Sequence, residues 1–281
     1  MTEQFAVAPA VVRGSVAVDG VDVAWERWTR IGVPPVVLVH GTAAHAGWWH
    51  HVAPYLADAY DLVALDLSGH GGSTRRPSYS IEGWSRELLA VIEEVAGGSA
   101  VVVGHSIGGL VAAGAAVERP SAVTGLVLAD CLVDELPDDV PGPPPVVRAT
   151  TVFATLEDAV ERYRLMPLQP VPDVTVLTYV ARQSAREVDG GWVWKLDPAI
   201  FDAVRVSPLT TPLGSVGCPT AIVRGELSSL VPPGAARSLA ARLGRPVRQY
   251  DVLNAHHHLM IDQPAPFARL LRRALDELFT R

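Results

Sequence analysis

Ser106 is the side chain best placed to act as a nucleophile, because it stands at the centre of Gly104-His105-Ser106-Ile107-Gly108-Gly109, where one kind of sequence gives way to another. Residues 100–103 are apolar and mostly β-branched, which suits a short strand buried on both faces. From Leu110 to Arg119 the chain is rich in helix formers and stops at Pro120. The serine therefore belongs to a sharp strand-to-helix turn. Such a turn strains the backbone at the serine and needs small residues two positions to either side, so that strand and helix can pass closely. It also exposes the hydroxyl at the carboxyl edge of a sheet and aims the Ile107 N–H toward any negative charge that develops there.

Acyl chemistry on a serine needs further groups at the same edge. The apolar run 36–39 ends in His40-Gly41-Thr42 and a small-residue loop, which makes the Thr42 N–H a candidate second oxyanion donor beside that of Ile107. A general base is needed to make the serine nucleophilic at neutral pH. His256, His257 and His258 follow the last apolar strand pattern, and one of them can serve. Asp130 stands at the carboxyl end of the strand pattern 123–129. Asp66 and His70 lie in a glycine-rich loop and are read as fixing its turns by local hydrogen bonds. Three adjacent histidines rarely converge on one ion, and no other His/Cys spacing forms a zinc site, so no metal or other cofactor is expected.

The elements that position these groups alternate between strand and helix patterns. Residues 12–18 and 21–28 read as a hairpin turning at Asp19-Gly20. Strands follow at 36–39, 62–65, 100–103, 123–129, 220–226 and 247–253, with helices at 48–59, 81–96, 110–119, 233–243 and 265–279. The expected class is α/β, a mostly parallel central sheet flanked by helices. Residues 137–145 hold five prolines and open a stretch of different texture. Residues 132–212 are accordingly read as a helical cap or lid inserted into a core formed by 1–131 and 213–281, with helices at 156–165 and 174–188 and an aromatic turn at 190–194. Of Trp48 and Trp49, one is expected in the core and one at a pocket; Trp192 and Trp194 either meet substrate or fix the cap to the core. With His105, these four tryptophans complete the candidate substrate pocket.

Composition limits the partners. At 281 residues with 49% hydrophobic side chains the chain can bury a large core. Its net charge of −7 argues against nucleic acid, and there is no apolar run of about 18 residues for a membrane span, nor a signal-peptide pattern at the start. A cytoplasmic protein, monomeric or homodimeric, acting on a hydrophobic small molecule is the expectation. Lys195 is the only lysine, a bias taken as compositional.

His40-Gly41, Asp66-Leu67-Ser68-Gly69-His70-Gly71, Gly104-His105-Ser106-Ile107-Gly108-Gly109 and a late histidine before Gln263-Pro264, in that order, resemble the α/β-hydrolase fold superfamily over nearly the whole chain outside the cap. The resemblance implies Ser106 as nucleophile, an oxyanion hole from the Thr42 and Ile107 amides, and, by its spacing to Gln263-Pro264, His257 as base. The family's usual acid follows the strand ending at Gly225, where this chain carries Leu227-Ser228-Ser229. Asp130 is the chosen substitute and Glu226 the alternative. Hydrolysis of an ester, thioester or related acyl bond follows as the expected reaction. The altered acid position motivates two alternatives on the same fold: a non-hydrolytic lyase, cyclase or isomerase in which His257 moves protons, or a ligand-binding pseudo-enzyme.

Overall fold

The computed structural model describes residues 11–131, 151–202 and 213–280. Eight strands form one sheet: β1 (Val11–Val18), β2 (Val21–Trp28), β3 (Pro35–Val39), β4 (Asp61–Leu65), β5 (Ala100–His105), β6 (Val123–Ala129), β9 (Thr220–Gly225) and β10 (Arg248–Val252). Their spatial order is β1-β2-β4-β3-β5-β6-β9-β10. The β1–β2 and β2–β4 pairings are antiparallel, and every other pairing is parallel. The fold is thus the α/β arrangement expected. At the β1–β2 turn, Asp19 (φ 50°) and Gly20 (φ 82°) both take the left-handed backbone that a tight two-residue hairpin requires.

The parallel strands are buried on both faces, which is why they read as continuous apolar runs. Val37, Val39 and Val102 face a core shared with α1 (Ile81–Glu94) and α2 (Ile107–Glu118). Val36, Leu38, Val101 and Val103 point the other way, into a core that holds Trp49 and the long helix α7 (Pro264–Phe279). Each Val or Leu so buried contributes about 1.5–3 kcal/mol. Between these lie α5 (Pro233–Arg242) and α6 (Leu259–Asp262). No helix among the described residues is long and apolar enough to cross a membrane.

Between β6 and β9 the chain forms α3 (Leu156–Arg162), α4 (Val174–Gln183) and a separate antiparallel hairpin, β7 (Ala185–Val188) with β8 (Gly191–Trp194). The proline-rich residues 137–145 lie outside the described residues, as do both ends of the span 132–212.

Three local expectations are corrected. The helix expected over 48–59 is instead two 3-10 turns, Ala46–Trp49 and Ala53–Tyr55, because Pro54 has no N–H to give to a continuous helix. The helix expected over 174–188 stops at Gln183, where the Ser184 hydroxyl donates back to the Val180 carbonyl at 2.8 Å; residues beyond it pair as β7. The helix expected over 156–165 ends at Arg162, with Tyr163 already extended.

Candidate active site

The strand ends deliver the chemistry. Parallel strands β3, β5, β6, β9 and β10 all finish at one edge of the sheet, and their carboxyl ends carry His40-Gly41, Ser106, Asp130, the loop after Gly225, and the His256–His258 segment. Open α/β sheets bind ligands at this edge.

Ser106 sits between β5 and α2 with φ 54° and ψ −124°, a strained conformation for a residue with a side chain. The glycines around it are required by contact. A Cβ on Gly104 would stand 2.3 Å from the Gly108 carbonyl oxygen, and one on Gly108 would stand 2.5 Å from that of His40. Ile107 opens α2, so its N–H has no partner inside the helix. Across the turn, a Cβ on Gly41 would approach that of Ser106 to 3.0 Å, so the loop carrying Thr42 packs directly on the turn. The Thr42 N–H has no hydrogen-bond partner among the described residues. Both proposed oxyanion donors are therefore free to serve a ligand.

Asp130 is fully buried and accepts three hydrogen bonds: Gly225 N–H to Oδ1 at 2.7 Å, and the Ser228 hydroxyl at 2.6 Å and His257 Nδ1 at 2.7 Å, both to Oδ2. A buried carboxylate without such donors would be costly. The bond from Nδ1 leaves the other ring nitrogen of His257 as the acceptor, which is the tautomer a general base needs. His105 ties this pair to the serine turn, since its Nε2 donates to the His257 carbonyl at 2.9 Å and the two rings lie 4.8 Å apart. Burial pushes His105 down to about 3 and His258 well below its ordinary value, so both of these rings stay neutral beside His257 at neutral pH.

Of the candidates, the structure brings together Asp130 and His257, and packs Gly41 against Ser106. It takes Glu226 elsewhere: that carboxylate is exposed and accepts from the Asn254 N–H at 2.9 Å, not from His257. His256 pairs with Asp262 at 3.0 Å. Asp66 accepts from Ala46 N–H and Gly72 N–H at 2.6 and 2.7 Å, so it does fix its loop. A cavity of about 270 Å³ opens beside Thr42, lined by Trp48, Tyr163, Trp194 and Lys195 among others. Trp49 and His105 do not line it. Trp49 is fully buried against Phe267 in the core, and His105 is spent on its bond to His257. Nor does Trp192 line it; that residue exchanges two backbone hydrogen bonds with Phe153, each 2.8 Å, inside the inserted segment.

Sequence reasoning missed Ser228, whose hydroxyl steadies the acid from the very loop where an acid is absent, and Gln169, whose Oε1 accepts from the His258 N–H at 2.8 Å. The signal for Ser228 was present: a hydroxyl at a position that lacks its carboxylate can compensate by supporting one that comes from elsewhere. Among the described residues, His105, His257 and His258 are the set able to hold a metal ion, with donor atoms within 4.8 Å of one another. An ion there would consume the His257 nitrogen on which proton transfer depends, and so would oppose acyl chemistry.

A family model described as the alpha/beta hydrolase family matches residues 36–270, and the chain belongs to that family. Esterase Rv0045c of Mycobacterium tuberculosis is 28% identical over 263 residues, covering 89% of this chain and 85% of that protein. A pimeloyl-(acyl-carrier protein) methyl ester esterase of Yersinia enterocolitica is 30% identical over 251 residues, covering 84% and 91%. Among solved structures, a thioesterase domain from the curacin biosynthetic pathway superposes with a TM-score of 0.76 at 23% identity, covering 93% and 99%, a likeness of fold. The chain is an esterase-like hydrolase.

Proposed function

We propose that the protein hydrolyses esters or thioesters of small hydrophobic acyl groups through a covalent acyl-enzyme on Ser106, with His257 as general base and acid and Asp130 as the orienting carboxylate. The observation that carries this reading is the 2.7 Å bond from His257 Nδ1 to buried Asp130, made beside the strained Ser106 turn. In the first half-reaction His257 Nε2 takes the Ser106 hydroxyl proton as Oγ bonds to the acyl carbon. The carbonyl oxygen becomes an oxyanion held by the Thr42 and Ile107 N–H groups. The intermediate collapses, the carbon–oxygen or carbon–sulfur bond breaks, and the alcohol or thiol leaves with the proton from His257. Water, deprotonated by His257, then attacks the ester on Ser106 and releases the carboxylic acid.

Residues 132–212 act in this reading as a cap over the strand ends. Its support is that Tyr163, Trp194 and Lys195 of that span line the cavity next to Thr42, and that Gln169 bonds to the histidine loop. The Asp130–His257 bond supports the hydrolytic reading over the non-hydrolytic one, which the altered acid position had motivated. The test is turnover of p-nitrophenyl butyrate with a pre-steady-state burst. Stoichiometric burst in the native protein and loss of both burst and turnover in Ser106→Ala is the expected result. Undiminished turnover in Ser106→Ala overturns covalent catalysis.

A further inference from the structure

Among the described residues, most buried and half-buried basic side chains are ion-paired, and half-buried Arg245 instead spends its guanidinium on the Gly217 and Cys218 carbonyls at 2.7 and 3.2 Å. Arg76 meets Glu87 at 2.7 Å, Arg224 meets Asp251 at 2.8 Å and Arg27 meets Asp61 at 2.5 Å. Lys195, the only lysine in the chain, is half-buried at the end of β8 and has no carboxylate within 4.0 Å among the described residues. Its backbone is fixed by its N–H bond to the Ser184 carbonyl at 2.9 Å. A half-buried ammonium with no partner is costly, and a charge held this way attracts a ligand more strongly than one in bulk water.

The surroundings point to what that ligand is. Lys195 lines the cavity that Thr42 also lines, and Trp48, Tyr163 and Trp194 contribute to the same lining. No aspartate or glutamate lines this cavity, and two further cations, Arg162 and Arg164, stand on its rim. Arg164 turns one guanidinium nitrogen onto the carbonyls of Glu161 and Tyr163, at 2.6 and 2.7 Å. Asp66, a buried carboxylate whose charge acts with Lys195, has its two oxygens already taken by the Ala46 and Gly72 N–H groups. A candidate oxyanion donor, aromatic side chains and an ammonium without a carboxylate partner lining one cavity suit an acyl chain that ends in a negative charge. With Arg164 turned onto backbone carbonyls and Arg162 exposed, the one half-buried cation of the cavity is an ammonium, which suits the single charge of a carboxylate.

We propose that this cavity is a subsite for a carboxylate-ended acyl group held by Lys195, so that the preferred substrates are monoesters or monothioesters of short dicarboxylic acids. The proposal rests on the hydrolase reading above and narrows its substrate class. It also separates the roles of the two halves of the site: the sheet edge cleaves, and the segment after β6 chooses.

The test compares p-nitrophenyl hydrogen glutarate with p-nitrophenyl 5-methylhexanoate, in which an isopropyl group replaces the carboxylate at nearly equal shape. The native protein is expected to favour the anionic ester at least tenfold in kcat/KM, and added salt is expected to shrink that margin. In Lys195→Met the anionic ester is expected to lose at least tenfold more than the neutral one, through a raised KM, while Lys195→Arg restores most of the preference. Equal or better use of the neutral ester by the native protein, or a preference that survives Lys195→Met, overturns the proposal. Calorimetric binding of glutarate to Ser106→Ala decides the subsite even if no ester is turned over. Binding there that is lost on adding Lys195→Met supports the subsite whatever the fate of the hydrolase reading, and no binding overturns it. Turnover of the neutral ester alone, without glutarate binding, keeps the hydrolase reading and removes the subsite.

Discussion

The edge of the parallel sheet and the segment between β6 and β9 are built by different rules. At the sheet edge, geometry is imposed largely by backbone: Ser106 and Asp130 both take left-handed φ values, 54° and 46°, and Cβ atoms on Gly104 and Gly108 would meet main chain. The described part of the inserted segment has a small apolar cluster of its own, Phe153, Ala159 and Ala185 with Trp192 and Trp194 packed on it. It also packs into the core, with Leu165, Val176 and Val180 in one buried cluster and Ile200 and Phe201 in the other, and side-chain polar contacts add to this: His45 Nε2 with the Ser184 hydroxyl at 3.0 Å, His258 N–H to Gln169 at 2.8 Å, and the Tyr79 hydroxyl to Asp197 at 2.7 Å. Main-chain geometry permits few residues at each position, whereas side-chain contacts can be exchanged one at a time. In the function proposed above, the reaction belongs to the first region and the choice of substrate to the second.

The largest effect expected from breaking this division is at the acid. Asp130→Asn keeps the shape but favours the wrong tautomer of His257, and should lower kcat by about 10⁴, the loss seen when the corresponding aspartate of the serine protease triad is changed. Steady-state kinetics with a short neutral ester checks it. A loss under tenfold would mean that His257 does not depend on Asp130.

Next in size is the turn. Gly108→Ala sets a Cβ 2.5 Å from the His40 carbonyl oxygen and 2.6 Å from that of Val39, both backbone atoms with little room to move. It should cost about 1–3 kcal/mol, read as a drop of several degrees in Tm. The same change at Gly217, where an added Cβ meets nothing within 4 Å, should leave Tm nearly unchanged.

Acid should loosen the core before it alters the insertion. Burial pushes His40, His45, His70 and His105 down to about 3, whereas unfolded histidines take up protons near 6.5. Between those values the unfolded chain binds more protons, so stability is full above about pH 7 and falls as the pH drops toward 4. Asp66 and Asp262 run the other way, since burial raises their carboxyls and acid favours the folded form there, but they are two groups against six once His51 and His258, also lowered by burial, are counted. Thermal melts at pH 7.5 and 5 check the sign: a lower Tm at pH 5 is expected, and a higher one contradicts it.

Smaller still is Ser228→Ala, which removes one of three donors to Asp130 and should reduce kcat roughly tenfold or less, the worth of one hydrogen bond to a charged group. Trp192→Ala, within the inserted segment, should shift KM by a few-fold and leave kcat for short esters close to native. A larger fall in kcat than in kcat/KM for a short ester would break the division of labour.

What was legible in the sequence follows the same division. The Gly104 to Gly109 stretch, the Asp19-Gly20 hairpin and the apolar strands were readable because main-chain geometry admits so few residue types there. The choice of Asp130 over Glu226 rested on strand position. In the structure Asp130 follows β6 and accepts from Gly225 and His257, while Glu226 is drawn off by Asn254. Side-chain placement was less legible. Trp48 and Trp49 are adjacent and chemically identical, yet one lines the cavity and the other meets Phe267, a contact from more than 200 residues away in sequence. Residues 184–194 carried a helix-like start, and only the pairing of β7 with β8 around Asp189-Gly190 turns them into a hairpin. Lys195 looked compositional until its lack of an ion-pair partner could be seen in three dimensions.

The most direct measurement of the central claim is the rate at which a fluorophosphonate probe modifies the folded protein, followed by intact mass. The Asp130–His257–Ser106 account predicts a single adduct on the native protein, none on Ser106→Ala, and an adduct on Asp130→Asn that forms at least a hundredfold more slowly. An adduct on Ser106→Ala, or equal rates for the native protein and Asp130→Asn, would contradict it.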